Sequence, residues 1–488
     1  MNEVVPIEQY RALEAKLAAL EHELAQLKRL IFGSKRERFE PALMPEQLML
    51  DFGQDTGVVE PVAVPTEDIS YTRKKVAHPG RTVLPDHLPT EEIILEPEED
   101  TTGMKLIGEE ITETIDYRPG VLFKRRLIRR KYARVAPEEG ESAVVIAPVP
   151  ERPIPKGIAE AGLLAYLIIA KFLDHLPFYR QIERFKREHN WVLQKTTLND
   201  WFAACCTLLE PLYGRLMDEV LKSDYLQADE SPIKVLDKES PGSTHQGYMW
   251  VYRNPVNGLV FFDYRKGRGA HGPKERLCDF KGLLQCDGYS VYDSLAAKQP
   301  GIRLVSCLAH IRRKFFEAKE NSPKLANEAL ERIQQLYELE RTYREQKLNP
   351  EQIAARRQEE ALTHFKSLLN WVQEHRANNL SKENIGKALR YAAEQLPRLE
   401  AYLSDGRIQI DNNLIENAIR PLALGRKNYL FAGAHSGAER AAMIYSFLAT
   451  CKTLGINPLE WLTDVLQRIG KHPVNRIDEL LPGNWVKN

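Results

Sequence analysis

No segment of this chain holds the roughly 18 to 20 uninterrupted apolar residues of a membrane span, and the opening MNEVVPIEQY lacks the basic and apolar regions of a secretion signal. A soluble, cytoplasmic protein is expected, with no membrane partner. Cysteine is sparse. Cys205, Cys206, Cys278, Cys286, Cys307 and Cys451 are scattered over 488 residues and never form a C-x-x-C pair, so reduced core thiols are expected and no zinc site can be read from them. Net charge is also missing, because 68 Lys and Arg balance 68 Asp and Glu. That balance does not exclude nucleic acid, since charge is segregated: Arg118 to Arg134 carries eight Lys or Arg and no acid, whereas Glu91 to Glu113 is dominated by acids.

A chain of 488 residues exceeds what one hydrophobic core usually covers, so several modules are expected. In residues 1–40, Tyr10, Leu13, Leu17, Leu20, Leu24, Leu27 and Ile31 step alternately by three and four. This a/d seam predicts a short self-associating coiled coil; a single amphipathic helix lying on the protein body would usually show a wider stripe. The basic run IFGSKRERF follows, and residues 41–75 lose all periodicity and read as a linker. Residues 76–155 read as a small β-rich module. Alternation over Leu122 to Val135 places Arg125, Arg126, Arg129 and Arg130 along a ribbon that suits a phosphate backbone or, equally, a charged and solvated edge strand. Residues 156–222 are helical: GLLAYLIIAKFLDHL, then FYRQIERFKREH, then a helix capped by Thr196 or Thr197. Two helices joined by a short turn resemble a helix-turn-helix, in which Lys195, Thr197, Asn199 and Asp200 would lie nearest a groove, although any three-helix bundle gives a similar pattern.

After Lys222 the period changes. YLQADESPIKVL, GYMWVYRN and LVFFDYRKGR read as three strands, followed by alternating helix and strand through GLLQCDGY, YSVYDSLAAK and RLVSCLAH. Three strands and then alternating helix and strand is the order of an RNase H-like fold. Asp229 and Asp287 are expected at the ends of its first and fourth strands, where open α/β sheets collect ligands. Each has a plainer reading as a turn residue, and Glu230 is a rival to Asp229. The third acid is expected from IDNNLIENAIRPLALGRKNYLF, where Asp411 is a good N-cap and Leu414, Ala418 and Leu422 recur every four residues. Glu416 sits there among Arg420, Arg426, Lys427, Asn428 and Tyr429, as either half of a surface ion pair with Arg420 or a metal ligand beside phosphates. Three carboxylates suffice for two magnesium ions, which prefer few hard oxygen ligands. Asp287 and Glu416 are separated by 128 residues, more than the fold needs. Residues 321–402 are therefore read as an all-helical insertion that clamps DNA or caps the site. The core then comprises residues 223–320 and 403–440, with a helical element at 441–488.

QADESPIKV, LLQCDGYSVYDSL, CLAHIRRKF, DGRIQIDNNLIENAIRPLALGRKNYLFAG and the closing NPLEWLTDVLQRI and HPVNRIDELLP resemble the transposases of the insertion sequence 66 family, as do IFGSKRERF and LPDHLP. The resemblance spans essentially the whole chain. It implies a bacterial, nucleoid-associated DDE transposase with an RNase H-like core and two magnesium or manganese ions, which cuts transposon ends and joins their 3′-hydroxyls to target DNA. It also implies Asp229, Asp287 and Glu416 as the catalytic, metal-binding triad. Arg420, Arg426, Lys427 and Asn428, together with His310, Arg312 and Lys314, fall in basic motifs that suit contacts to double-stranded DNA. Accessory proteins of the same element are possible partners. One departure is plain: relatives commonly carry paired cysteines in the small β module, whereas PEEDTTG and APEEGES stand in those places here, so zinc is not expected. The fold class expected is thus a multidomain α+β and α/β protein. Other functions with the same core are a catalytically silent DNA-binding protein and a nuclease for branched DNA. A purely structural coiled-coil protein would need a longer seam.

Overall fold

The computed structural model describes residues 157–236, 243–379 and 383–487, with short pieces at 120, 122–123, 131–133, 144–146 and 152–155. The chain divides into two compact units, Met1–Leu127 and Ile128–Asn488, and every element below lies in the second. The coiled coil, the linker, most of the small β module and Arg125, Arg126, Arg129 and Arg130 lie outside the described residues. Of that module, β1 (Lys131–Ala133) pairs antiparallel with β2 (Val144–Ile146).

Three helices follow: α1 (Ala161–Phe172), α2 (Phe178–His189) and α3 (Lys195–Leu221). Left-handed Asn190, with φ 48°, ends α2. The expected threonine cap of α3 is not formed, because its N-cap is Gln194 and no side chain caps the helix. At 27 residues α3 is also longer than a recognition helix needs to be. Its first turn is exposed, while Leu198, Trp201 and Phe202 turn inward. Phe172 and Phe178 both pack on Phe202, with ring centroids 5.5 and 5.8 Å away, and Phe172 meets Tyr445 edge-on at 5.1 Å. These helices therefore share an aromatic core with the C-terminal part of the chain.

The sheet has the order β5-β4-β3-β6-β7, built from β3 (Tyr225–Leu236), β4 (Thr244–Arg253), β5 (Val260–Arg265), β6 (Gly282–Gln285) and β7 (Ile302–Val305). The first three are antiparallel, while β3, β6 and β7 are parallel. Helices α4 (His271–Arg276) and α5 (Ser290–Lys298) supply the crossovers. Helix α6 (Leu308–Glu317) leaves β7. The helical segment expected between sheet and last acid is present as α7 (Pro323–Glu345), α8 (Pro350–Arg356), a π-turn at Arg357–Ala361, α9 (Leu362–Asn378) and α10 (Asn384–Leu399). The apolar faces of α7, α9 and α10 join Leu308, Ile311 and Phe315 of α6 in one core.

The chain closes with α11 (Asn413–Tyr429), α12 (His435–Thr453) and α13 (Pro458–Arg468). Helix α12 runs unbroken across residues 440 and 441 and is buried almost continuously from Ala441 to Cys451. It covers β5, whose amides at Phe262 and Val260 donate to Ser446 Oγ (2.8 Å) and Thr450 Oγ1 (3.0 Å). Side chains thus satisfy the outer donors of an edge strand. No described helix is long and apolar enough to cross a membrane. All six cysteines are free, and only Cys278 is exposed.

The inserted helices are held to the chain leading into α11 by a buried arginine. Arg357, 2% exposed, pairs with Glu340 through Nε (2.8 Å) and Nη2 (2.9 Å), and its Nη1 donates to the carbonyls of Tyr402, Asp405 and Ile408. Replacing only the cation strands a buried carboxylate, which costs about 3–5 kcal/mol. Arg357→Ala should therefore lower the free energy of unfolding by that order, read from denaturant melts. Arg357→Met combined with Glu340→Leu should recover most of the loss in the same unfolding measurement.

Candidate active site

Strand pairing explains why two distant acids meet. The last parallel pair between β3 and β6 is Gln227 with Gln285. Asp229 and Asp287 each stand two residues beyond that pair, so the period of two places them side by side on the glutamines' face. Asp229 does not end its strand as expected. Strand β3 continues to Leu236 because β4 pairs with its whole length, and only the parallel partner stops short.

The glutamines build the floor of the site. Gln285 Oε1 accepts from Tyr225 Oη (2.6 Å) and Gln227 Nε2 (3.0 Å), while Gln285 Nε2 donates to the carbonyls of Gln409 (2.8 Å) and Ser306 (3.2 Å). Gln227 Nε2 also donates to the Asp411 carbonyl at 3.1 Å, and Tyr225 Oη accepts from the Gln409 amide at 2.9 Å. The segment 409–411 is thereby bound to the sheet, and α11 starts directly after it. Asn412, not Asp411, is the N-cap of α11, and Asp411 accepts from the amide and side chain of Asn413 instead. From β4, Arg253 Nη1 donates to the Leu414 carbonyl at 2.7 Å. At the other end of α11, Arg426 donates to Ser231 Oγ (2.9 Å) and to the Pro232 carbonyl. Ala432 then bridges Lys234 and Leu236 (2.8 Å each), so the helix is fixed along β3 at both ends.

Glu416 lies in the first turn of α11, close enough to Asp229 to act on it electrostatically. Burial pushes the Asp229 carboxyl well above the usual aspartate range, and the charges of Glu230, Asp287 and Glu416 push the same way; the Glu230 amide, donating to Asp229 Oδ1 at 2.8 Å, opposes them. Among the described residues no cation pairs with Asp229, Asp287 or Glu416, and the expected alternative, a Glu416–Arg420 ion pair, is not formed. Glu230 points to the opposite face, where Arg268 binds Oε1 through Nε (2.9 Å) and Nη2 (2.6 Å). This engagement takes Glu230 out of competition with Asp229.

The basic residues divide into distinct groups. Burial pushes the His310 imidazole down, against the pull of Glu416 and Asp287, so it stands beside the acids, and its Nδ1 is buried without a hydrogen-bond partner. The Arg312 charge acts on Tyr337 of α7, and Lys314 pairs with Glu317 at 3.6 Å. On α11, Arg420 and Lys427 are exposed, Arg426 is engaged with β3, and Asn428 Oδ1 accepts from Arg180 Nη1 at 3.4 Å. Lys195 and Asn199 are exposed and Thr197 is half-buried on the first turn of α3, with Asn199 Nδ2 donating to the Lys195 carbonyl. No hydrogen bond or ion pair among the described residues joins that turn to the three acids.

Sequence reasoning missed Gln227, Gln285 and Tyr225. A signal existed, because Gln227-Ala228-Asp229 and Gln285-Cys286-Asp287 repeat a Q-x-D pattern on two parallel strands. The donor set, three hard carboxylates of which two raise the proton affinity of the third, with no cation opposite, fits a divalent ion such as magnesium or manganese. Among the described residues, however, no three His, Cys, Asp or Glu side chains are drawn together closely enough to hold an ion.

The direction in which Asp229 is perturbed fixes a pH dependence. A raised folded-state pKa means that the folded protein holds the proton more tightly, so its contribution to stability is present at low pH and is lost as pH rises from about 3.9 through the folded value. In EDTA, Asp229→Asn should melt at higher temperature than the wild type at pH 7, with the difference shrinking toward pH 4. Thermal melts of both proteins across that range check it.

Comparison with known proteins agrees along the chain. Residues 156–440 match the model of the Transposase IS66 family, residues 446–482 that of the IS66 C-terminal element, and residues 19–93 that of the Transposase C of IS166 homeodomain. Three uncharacterized proteins of Sinorhizobium fredii are similar over nearly their full lengths. Protein y4jD is 33% identical, over 96% of this chain and 94% of its own. Protein y4qI is 32% identical, over 97% and 90%, and y4hP is 31% identical, over 96% and 89%. With a family model over more than half its residues and relatives matched almost end to end, this chain belongs to the IS66 family of transposases.

Proposed function

We propose that this transposase cuts the ends of its insertion sequence and joins the liberated 3′-hydroxyls to target DNA, using an RNase H-like core with Asp229, Asp287 and Glu416 as its DDE triad. The observation that supports the proposal is where the backbone sets these acids. Two lie side by side beyond the Gln227–Gln285 pair, and the third stands in the first turn of a helix whose leading segment, at Gln409 and Asp411, is hydrogen-bonded to the same glutamines. The three carboxylates would hold two magnesium or manganese ions. Once bound, such ions activate the attacking oxygen and stabilise the leaving one in an in-line displacement at phosphorus.

The protein's own residues supply alignment. The glutamine floor fixes the backbone that carries the acids, and Arg426 keeps α11 on β3. Exposed Arg420 and Lys427 contact the phosphate backbone near the reacting strand, with Asn428 beside them. Lys195, Thr197 and Asn199 approach double-stranded DNA from α3, while Arg125, Arg126, Arg129 and Arg130 do so from the basic ribbon. His310, whose imidazole feels the charges of Glu416 and Asp287, meets a substrate phosphate, whereas Arg312 and Lys314 lie farther along α6. The seam from Tyr10 to Ile31 joins copies of the chain so that paired ends are handled together, with accessory proteins of the same element as further partners.

The test is a cleavage and strand-transfer assay on the element's own end sequences in magnesium, manganese or EDTA. Products should require the metal. Asp287→Ala and Glu416→Gln should each lower cleavage and joining about a thousandfold, equivalent to losing about 4 kcal/mol of transition-state stabilisation, while DNA affinity stays near wild type. Arg426→Ala should weaken binding and cleavage together and also lower the melting temperature, because it releases α11 from β3. Specific DNA binding without products in any metal would instead identify a catalytically silent DNA-binding protein.

A further inference from the structure

One face of α10 in the helical insertion touches three parts of the core around Asp287. Tyr391, Gln395 and Arg398 are spaced i, i+4 and i+7 and so share a side of the helix. Tyr391 Oη accepts from the amide of Gly288, the residue after Asp287, at 3.2 Å. Gln395 Oε1 accepts from Ser306 Oγ at 2.7 Å, and both groups are buried. Arg398 Nη1 meets Asp293 Oδ1 at 2.5 Å on α5, the helix that the Asp287 turn leads into. Contact at Gly288 is close, since a Cβ there would lie 2.8 Å from Tyr391 Cε2 and 3.0 Å from Gln395 Nε2. The opposite side of the turn is also held. Asp287 Oδ1 accepts from the Tyr289 amide (3.0 Å), Tyr289 Oη donates to the Arg268 carbonyl (3.0 Å), and the Arg268 guanidinium lies 4.1 Å from the centre of the Tyr289 ring.

We propose that the helical insertion is a positioning element for catalysis, with Tyr391 and Gln395 setting the Asp287 turn from one side while Arg268 and Tyr289 set it from the other. This rests on the reading of Asp287 as a metal ligand and assigns the insertion a task distinct from contacting DNA. Gly288 belongs to the device, because a side chain there would push Tyr391 and Gln395 from their present positions against the turn. On α7, Tyr337 acts on the Asp411 carboxyl, just ahead of the helix that bears Glu416, and favours its charged form against burial.

The test compares full-length wild type, Tyr391→Phe, Gly288→Ala, Tyr391→Ala and the double variant Gly288→Ala/Tyr391→Ala. Its readouts are melting temperature, end-DNA affinity and cleavage as a function of magnesium concentration. Outer residues that orient metal ligands change metal affinity about 10- to 100-fold when lost. Tyr391→Phe should raise the magnesium needed for half-maximal cleavage about 10-fold, with melting temperature and DNA affinity near wild type. Gly288→Ala should raise it about 100-fold, and adding Tyr391→Ala should bring the double variant back to the level of Tyr391→Ala alone, a non-additivity that a general loss of stability would not produce. Wild-type magnesium dependence in both Tyr391→Phe and Gly288→Ala, or additive losses in the double variant, would overturn the proposal. Unimpaired cleavage by an Asp287→Ala control would instead overturn the reading on which it rests.

Discussion

The architecture depends on a buried hydrogen-bond network centred on Gln285. One side chain accepts from Tyr225 and Gln227 on β3 and donates to the carbonyls of Ser306 and Gln409, so a single amide ties two strands to the chain entering α11. Such a network is rigid where its groups are paired, as all of those named here are, and costly where one is not, as at Gln227 Oε1, which is buried without a hydrogen-bond partner. Both strands place an aspartate two residues beyond their glutamine, and α11 starts just past the tethered segment. Rigidity in the network therefore keeps Asp229 and Asp287 on neighbouring strands and fixes the segment from which α11 starts.

The insertion is integrated with that site. Its helices share a continuous apolar core with α6, and Arg357 anchors it to the carbonyls of Tyr402, Asp405 and Ile408 just ahead of the segment that the glutamines hold. A buried ion pair contributes little net stability by itself, but breaking it is expensive, which suits an element whose placement matters more than its affinity for the core. The first three helices are integrated in the same way. Phe172 packs on Tyr445 of α12, and α12 in turn covers the outer strand of the sheet.

Much of this was legible in the sequence because periodicity reports directly on burial. The change from helical to alternating pattern after Lys222 announced the strands in their observed order, and the helical repeats after residue 320 announced the insertion. Glu416 stood out as an acid among bases. Local signals near helix starts were less informative. Asp411 and Thr196 or Thr197 are good caps by residue type, yet Asn412 and Gln194 hold those positions because tertiary hydrogen bonds and packing set where α11 and α3 begin. Strand length misled in the same way. Asp229 lies within β3 because strand ends depend on a partner that no single segment contains. The role of Arg426 was hidden too, since an arginine held by Ser231 and one that meets phosphate look alike in one dimension.

The central claim is that Asp229, Asp287 and Glu416 form one divalent-ion site. Titration of full-length protein with manganese, read by electron paramagnetic resonance, tests it without requiring turnover. The account predicts specific binding by the wild type and loss of it, by about 10-fold or more in affinity, in each of Asp229→Asn, Asp287→Asn and Glu416→Gln with the fold intact. Unchanged manganese binding in Glu416→Gln would contradict it, because the helix-borne acid would then stand apart from the two on the sheet.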